Sequence, residues 1–174
     1  MNGFQSSSPE VWIAQGGIVQ VRQEQLAQLK AHAEASPRQR ARICAHRSSE
    51  DRLHEMLIVL TRNVYIRPHK HLAKMESFHV IEGSAQVVFF HESGAIDEVV
   101  ELGDARSGRC FYFRIDDPRY HTQIITSDHL VFHETTNGPF NRDQTVFAPW
   151  APAETEADAA RNYIDALKRE LGRR

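Results

Sequence analysis

From residue 41 onward the apolar positions of this chain recur every second residue, a spacing that fits strands with one face turned to a core. The runs "ARICAH", "HEMLIVL", "VYIRPHKH", "ESFHVIEG", "AQVVFFH", "AIDEVVEL", "CFYFRI", "YHTQII" and "HLVFHETT" follow in order. Turn signals at Glu82-Gly83, Ser93-Gly94, Gly103-Asp104 and Asp117-Pro118 separate them. Short strands with tight turns and no helical pattern between them predict an antiparallel sandwich or barrel. Ahead of it, "QEQLAQLKAHAEA" at 23–35 places Leu26, Leu29 and Ala33 at helical spacing, and Ser36-Pro37 ends that helix. Residues 1–17 are polar and Gly/Ser-rich and read as a flexible lead-in, and "IVQV" that follows reads as a short strand. Behind the barrel, "FAPWAPAE" is too rich in proline for a regular element. It is expected to lie as an extended strap on the barrel with Trp150 buried. Residues 154–171 then carry Ala157, Ala160, Ile164, Leu167 and Leu171 on one helical stripe. The expected organisation is a lead-in at 1–17, a strand and helix extension at 18–46, a barrel at 47–140, and a C-terminal strap and helix at 141–174.

A length of 174 residues suits one domain with its own core. Lys and Arg number 21 against 23 Asp and Glu, with no basic block, which argues against nucleic acid as a partner. Cys44 and Cys110 stand far apart without CxxC spacing and read as small hydrophobes in a reducing compartment. No signal-peptide pattern opens the chain and no apolar run is long enough to span a bilayer, so a soluble cytoplasmic protein without membrane contact is expected. Ten histidines raise the prospect of metal or acid–base chemistry.

The segment "YIRPHKHLAKMESFHVIEG" at 65–83 locates that chemistry. On a strand, His69 and His71 share a face with their Cβ atoms about 6.5–7 Å apart, close enough for both imidazoles to reach one ion. A turn through "LAKM" would return Glu76 to the same site from a neighbouring strand. A further ligand should come from a distant strand, and His121 in "YHTQII" is the best placed candidate. An HxH pair alone would more often be half-buried and solvated; the glutamate, the Gly83 turn and the later histidine favour a site for a divalent transition metal.

The spacing His69-x-His71-x4-Glu76-x6-Gly83 resembles the first cupin motif, and His121 falls at the histidine of the second. "SPRQRARICAH", "YIRPHKH", "NGPF" and "FAPWAPAE" are similar to the WbuC-type cupin-fold metalloproteins, over roughly residues 18–154. That resemblance implies an all-β double-stranded β-helix, the cupin or jelly-roll barrel, with a short N-terminal and a C-terminal helix. It also implies a single metal, with Fe, Mn, Zn and Ni all open, and a setting among genes for surface polysaccharide. The chain departs from the cupin pattern at Asn63, where glycine is usual, and at Asp116-Asp117-Pro118-Arg119-Tyr120-His121, where a Pro-x-Gly-x-x-His turn is usual, so those turns need a different backbone and a slight displacement of His121 is expected. Ile125 stands where the second motif often has asparagine.

Alternation carried through Pro68 puts Tyr65 and Arg67 on the face of His69 and His71, unless proline forms a bulge there. Arg67 is then a substrate anchor for carboxylate or phosphate oxygens, and Tyr65 either a proton donor or a core residue with a satisfied hydroxyl. Gln123 shares the His121 face, and Glu134 is either a pocket carboxylate or half of an ion pair with an arginine of "SPRQRAR". Lys74 and Tyr120 are further substrate-binding candidates. His79 and His91 read as surface residues, and His46 and His54 as solvated. The function these residues suggest is an isomerase- or epimerase-like metalloenzyme acting on a sugar, nucleotide sugar or small hydroxy or carboxylate compound, as a homodimer. An iron-dependent oxygenase and a non-catalytic metal-dependent binding protein are the alternatives.

Overall fold

The computed structural model describes residues 1–173 and contains two β-sheets packed face to face, with a helix on each outer side. The seven-stranded sheet runs β1 (Phe4–Ser8), β2 (Val11–Ala14), β3 (Arg40–Cys44), β4 (Leu53–Thr61), β11 (His129–Asn137), β6 (Glu76–Glu82), β9 (Tyr112–Ile115). The five-stranded sheet runs β12 (Thr145–Phe147), β5 (His69–His71), β10 (Tyr120–Ile125), β7 (Ser84–Phe90), β8 (Ile96–Gly103). Helix α1 spans Gln23–Ala35 and α2 spans Ala157–Leu171. This is the two-sheet, mostly antiparallel all-β architecture that the strand pattern predicts, with a helix toward each end of the chain.

Period-two alternation sorts the side chains into layers. On β7, Ala85, Val87 and Phe89 enter the core between the sheets, while Val88 and Phe90 point outward to the layer under α2. On β11, Leu130 and Phe132 join the inter-sheet core and Val131 packs beneath α1. Leu26, Leu29 and Ala33 of α1 cover Ala41, Ile43 and Val59; Ile164 and Leu167 of α2 cover Val88, Phe90 and Ile124. The β6–β7 turn depends on Gly83, whose φ is +87° and where a Cβ would lie 2.0 Å from the His129 carbonyl oxygen.

Three expectations change. Residues 1–17 are not a structureless lead-in, because β1 and β2 form a hairpin and β2 pairs in parallel with β3, which buries Trp12 in the layer under α1. "IVQV" is not a strand: Ile18 is 81% exposed and the segment has no partner strand among the described residues. "VYIRPHKH" is strand only at His69–His71, since Pro68 has no N–H for a ladder. The strap after β12 does lie on the barrel, with Trp150 half-buried against Phe90, Tyr120 and Tyr163 and its indole N–H donating to the Glu92 carbonyl.

Candidate metal centre

Strand β5 lies between β12 and β10, and that placement assembles the histidines. His69 stands directly opposite His121 of β10, and His71 opposite Thr145 of β12. One ligand atom from each of His69, His71 and His121 lies within 4.8 Å of the others. His121 is therefore not displaced by the missing glycines. Neither Asn63 nor any residue from Asp116 to Tyr120 takes a positive φ, so those turns close without one.

The imidazoles are oriented for a metal. Nδ1 of His69 donates to the Arg67 carbonyl at 2.9 Å and Nδ1 of His121 to the Arg119 carbonyl at 3.0 Å, which fixes the tautomer with Nε2 unprotonated. Nδ1 of His71 meets the Thr145 hydroxyl at 3.1 Å. Glu76 opens β6 on the other sheet and faces them across the barrel, with Oε1 3.1 Å from His71 Nε2 and Oε2 3.5 Å from His121 Nε2. Three imidazole nitrogens within 4.8 Å of one another, with a buried carboxylate against two of them, fit a divalent transition metal.

Electrostatics agree with that donor set. Burial, reinforced by the neighbouring His121, lowers His69 to about 3, so its ring stays neutral at ordinary pH. Burial pushes Glu76 up, but the adjacent His121 and His71 rings together with the Lys74 charge outweigh it and hold the carboxyl well below its usual range. Lys74 Nζ is 2.6 Å from Glu76 and 3.9 Å from Glu134. Burial opposes its charge, yet Glu134 and Glu76 raise its pKa overall. Glu134 is pushed up to about 7 by burial and then by Glu76, against the pull of Lys74 and Arg42.

The cluster lies in the wall of a cavity of about 440 Å³. Arg67, Lys74, Gln123 and Glu134 line it as the sequence suggests. The Arg67 guanidinium donates to the Ala148 carbonyl at 3.0 Å and sits 5.2 Å from the Phe147 ring centre, while its Nε is buried without a partner. Gln123 Oε1 is likewise buried and unpartnered. The cation nearest Glu134 in the ion-pair geometry is Lys74 rather than an arginine of "SPRQRAR". Two expected site residues lie elsewhere. Tyr65 donates its hydroxyl to the Pro152 carbonyl at 2.7 Å and packs against Tyr163, because residues 62–68 are not strand and alternation does not carry through them. Tyr120 neighbours His121 on β10 and so points to the opposite side, under Trp150, with Lys70 4.5 Å from its ring centre. His79 and His91 are exposed as expected, whereas His54 is buried and stacks on His46 with ring centres 4.2 Å apart.

Arg38, Arg40 and Arg42 also line the cavity, and sequence reasoning missed them as site residues. "RARIC" held the signal: Ala41 and Ile43 face α1, so Arg40, half-buried, and Arg42, exposed, take the opposite face of β3 that borders the cavity.

Comparison with known proteins agrees with the fold. A family model described as a domain of unknown function (DUF6016) matches residues 21–102, which include His69, His71 and Glu76 but end before His121. No curated protein matches the sequence. Among solved structures, protein SO0799 from Shewanella oneidensis is similar at a TM-score of 0.53 and 14% identity, over 75% of this chain and 84% of that one. Oxalate oxidase in complex with the substrate analogue glycolate gives a TM-score of 0.48 and 15% identity, over 78% and 74% of the two chains. The capsular polysaccharide assembling protein CapF from Staphylococcus aureus gives 0.45 and 22%, over 56% of this chain and only 27% of its own length. The likeness to SO0799 is one of fold.

Proposed function

We propose that this protein is a mononuclear metalloenzyme of the isomerase or epimerase kind. In this reading His69, His71, His121 and Glu76 hold a divalent transition metal, and the cavity takes a small anionic or carbohydrate-like compound such as a sugar, nucleotide sugar or hydroxy acid. The observation that carries the reading is the convergence of three oriented imidazoles and a buried carboxylate on the wall of a ligand-sized cavity. A divalent metal bound there supplies Lewis acidity toward a carbonyl or hydroxyl oxygen. The protein's own groups orient the substrate and handle its protons. Gln123 offers an unpartnered acceptor to a hydroxyl, and Arg67 an unpartnered N–H to an anionic oxygen. Glu134, raised to about 7 and 3.9 Å from Lys74, can take or release a proton near neutral pH. The similarity of "SPRQRARICAH" and "FAPWAPAE" to WbuC-type proteins supports a substrate from surface polysaccharide metabolism.

The test is elemental analysis of purified protein, followed by thermal-shift screening against nucleotide sugars and small hydroxy acids, in wild type and Arg67→Lys. Lysine keeps the charge and loses the planar fork, so metal content should be unchanged and affinity for an anionic ligand about threefold weaker or more. Equal affinity in the two proteins would remove Arg67 from the ligand site.

A further inference from the structure

Opposite the strand that carries the histidine pair, the cavity wall holds two guanidiniums closed on one carboxylate. Arg38 directs Nε and Nη2 to Oε2 of Glu154 at 3.1 and 2.8 Å. Arg40 directs Nη1 to Oε1 and Nη2 to Oε2 of the same side chain, both at 3.3 Å. All three residues line the cavity that contains His69, His71 and His121. Their backbones differ in kind. Arg40 sits in β3, fixed opposite Leu60 of β4, whereas Glu154 lies in a turn between the strap and α2. Arg40 is thus part of the scaffold, while Arg38, in the turn between α1 and β3, and the carboxylate occupant are carried on irregular segments.

The rest of the cavity's charge suggests what the fork is for. Lys74 is neutralised by Glu76 and Glu134, and Arg38 and Arg40 by Glu154 and Glu10. Among the described residues Arg67 and Arg42 form no ion pair, and Arg67 keeps a buried Nε without a partner. A cavity with cations to spare and one carboxylate clamped by two guanidiniums suits a ligand with two anionic ends. We propose that Arg38 and Arg40 form a second anion subsite, distinct from the histidine cluster, which takes a terminal carboxylate or phosphate of the ligand, and that Glu154 fills this subsite until the ligand displaces it. The exchange replaces one carboxylate by another on the same donors, so the fork is never left unpaired. It selects ligands by length, because one end must reach the fork while the other engages the histidine cluster.

This inference rests on the cavity being the ligand site proposed above, and the experiment separates the two. Metal-loaded wild type, Glu154→Gln and Arg40→Gln are titrated calorimetrically with straight-chain dicarboxylates from malonate to suberate, and with monocarboxylates of equal length. A parallel series with a phosphonate at one end tells a phosphate-ended ligand from a dicarboxylate. At one chain length the doubly charged probe should bind about tenfold tighter than its monocarboxylate. Glu154→Gln should improve the doubly charged probe about fivefold, the worth of a half-exposed ion pair, and leave the monocarboxylate unchanged. Arg40→Gln should abolish the advantage, and Arg40→Lys, which keeps the charge but not the fork, should reduce it if the glutamine variant does not fold. A Glu154→Gln protein with a lower melting temperature and an unaltered ratio of affinities would mean that the cluster is a structural clasp. Metal-dependent monocarboxylate binding with no advantage at any length would overturn the subsite and leave the metal reading standing. Failure of every probe to bind the metal-loaded protein would overturn both.

Discussion

Glu134→Gln should stabilise the metal-depleted protein by an amount that depends on pH. Glu134 lies on the inner face of β11 and is buried, with Lys74 3.9 Å away as its nearest cation. Burial, then the Glu76 charge, raises its carboxyl from 4.5 to about 7. A carboxyl raised in the folded state makes that state bind more protons than the unfolded chain between those two values. Stability therefore falls as pH rises from about 4.5 to about 7 and stays low above it. The interval is ~2.5 pH units at ~1.4 kcal/mol each, so ionised Glu134 costs about 3 kcal/mol at pH 8. Glutamine keeps the shape and removes the charge, but it also removes one of the two carboxylates facing Lys74, which takes back part of the gain. The expected outcome is a stabilisation of about 1–3 kcal/mol at pH 8 that shrinks toward zero at pH 5. Urea unfolding of chelator-treated wild type and variant at both pH values measures it. A variant less stable than wild type at pH 8, or equally displaced at both, would show that the Lys74 pairing rather than the burial of Glu134 dominates, and the reasoning would fail.

Two other outcomes follow from local geometry. Thr145→Val removes the hydroxyl that meets His71 Nδ1 at 3.1 Å, so metal affinity measured by chelator competition should fall about tenfold or more, with little change in the unfolding midpoint. Gly94→Ala places a Cβ 2.9 Å from Trp150 at a φ of +88°, and urea unfolding should show a loss of about 1–3 kcal/mol, with the emission of Trp150 shifted to the red.

The barrel strands were legible because each buries one face in a core, and that constraint is written into the chain two residues at a time. The HxH pair was legible for a related reason: histidines one residue apart on a strand share a face, and Glu76 joined them only through the turn that carries the chain from β5 to β6. The N-terminal hairpin was not, because "FQSSS" faces solvent along most of its length and its sheet contact is made through β2 to β3, a segment distant in sequence. "IVQV" looked like a strand because alternation reports only what a strand could bury, and among the described residues no strand pairs with it. The same rule misled for Tyr65, where Pro68 interrupts the ladder, and correctly applied it would have excluded Tyr120, which neighbours a ligand and so must face away from it. The inward face of Arg40 could be read from "RARIC", but its pairing with Glu154 could not, because Glu154 is 114 residues away and only the folded strap brings them together.

Whether His69, His71, His121 and Glu76 hold a single metal ion can be read by X-ray absorption of the purified, metal-loaded protein. The expected spectrum shows one metal per chain with imidazole scattering from three histidines and nitrogen and oxygen ligands at about 2.0–2.2 Å, and loss of one imidazole in His121→Ala. Stoichiometric metal with fewer than three imidazoles, or an unchanged spectrum in His121→Ala, would contradict it.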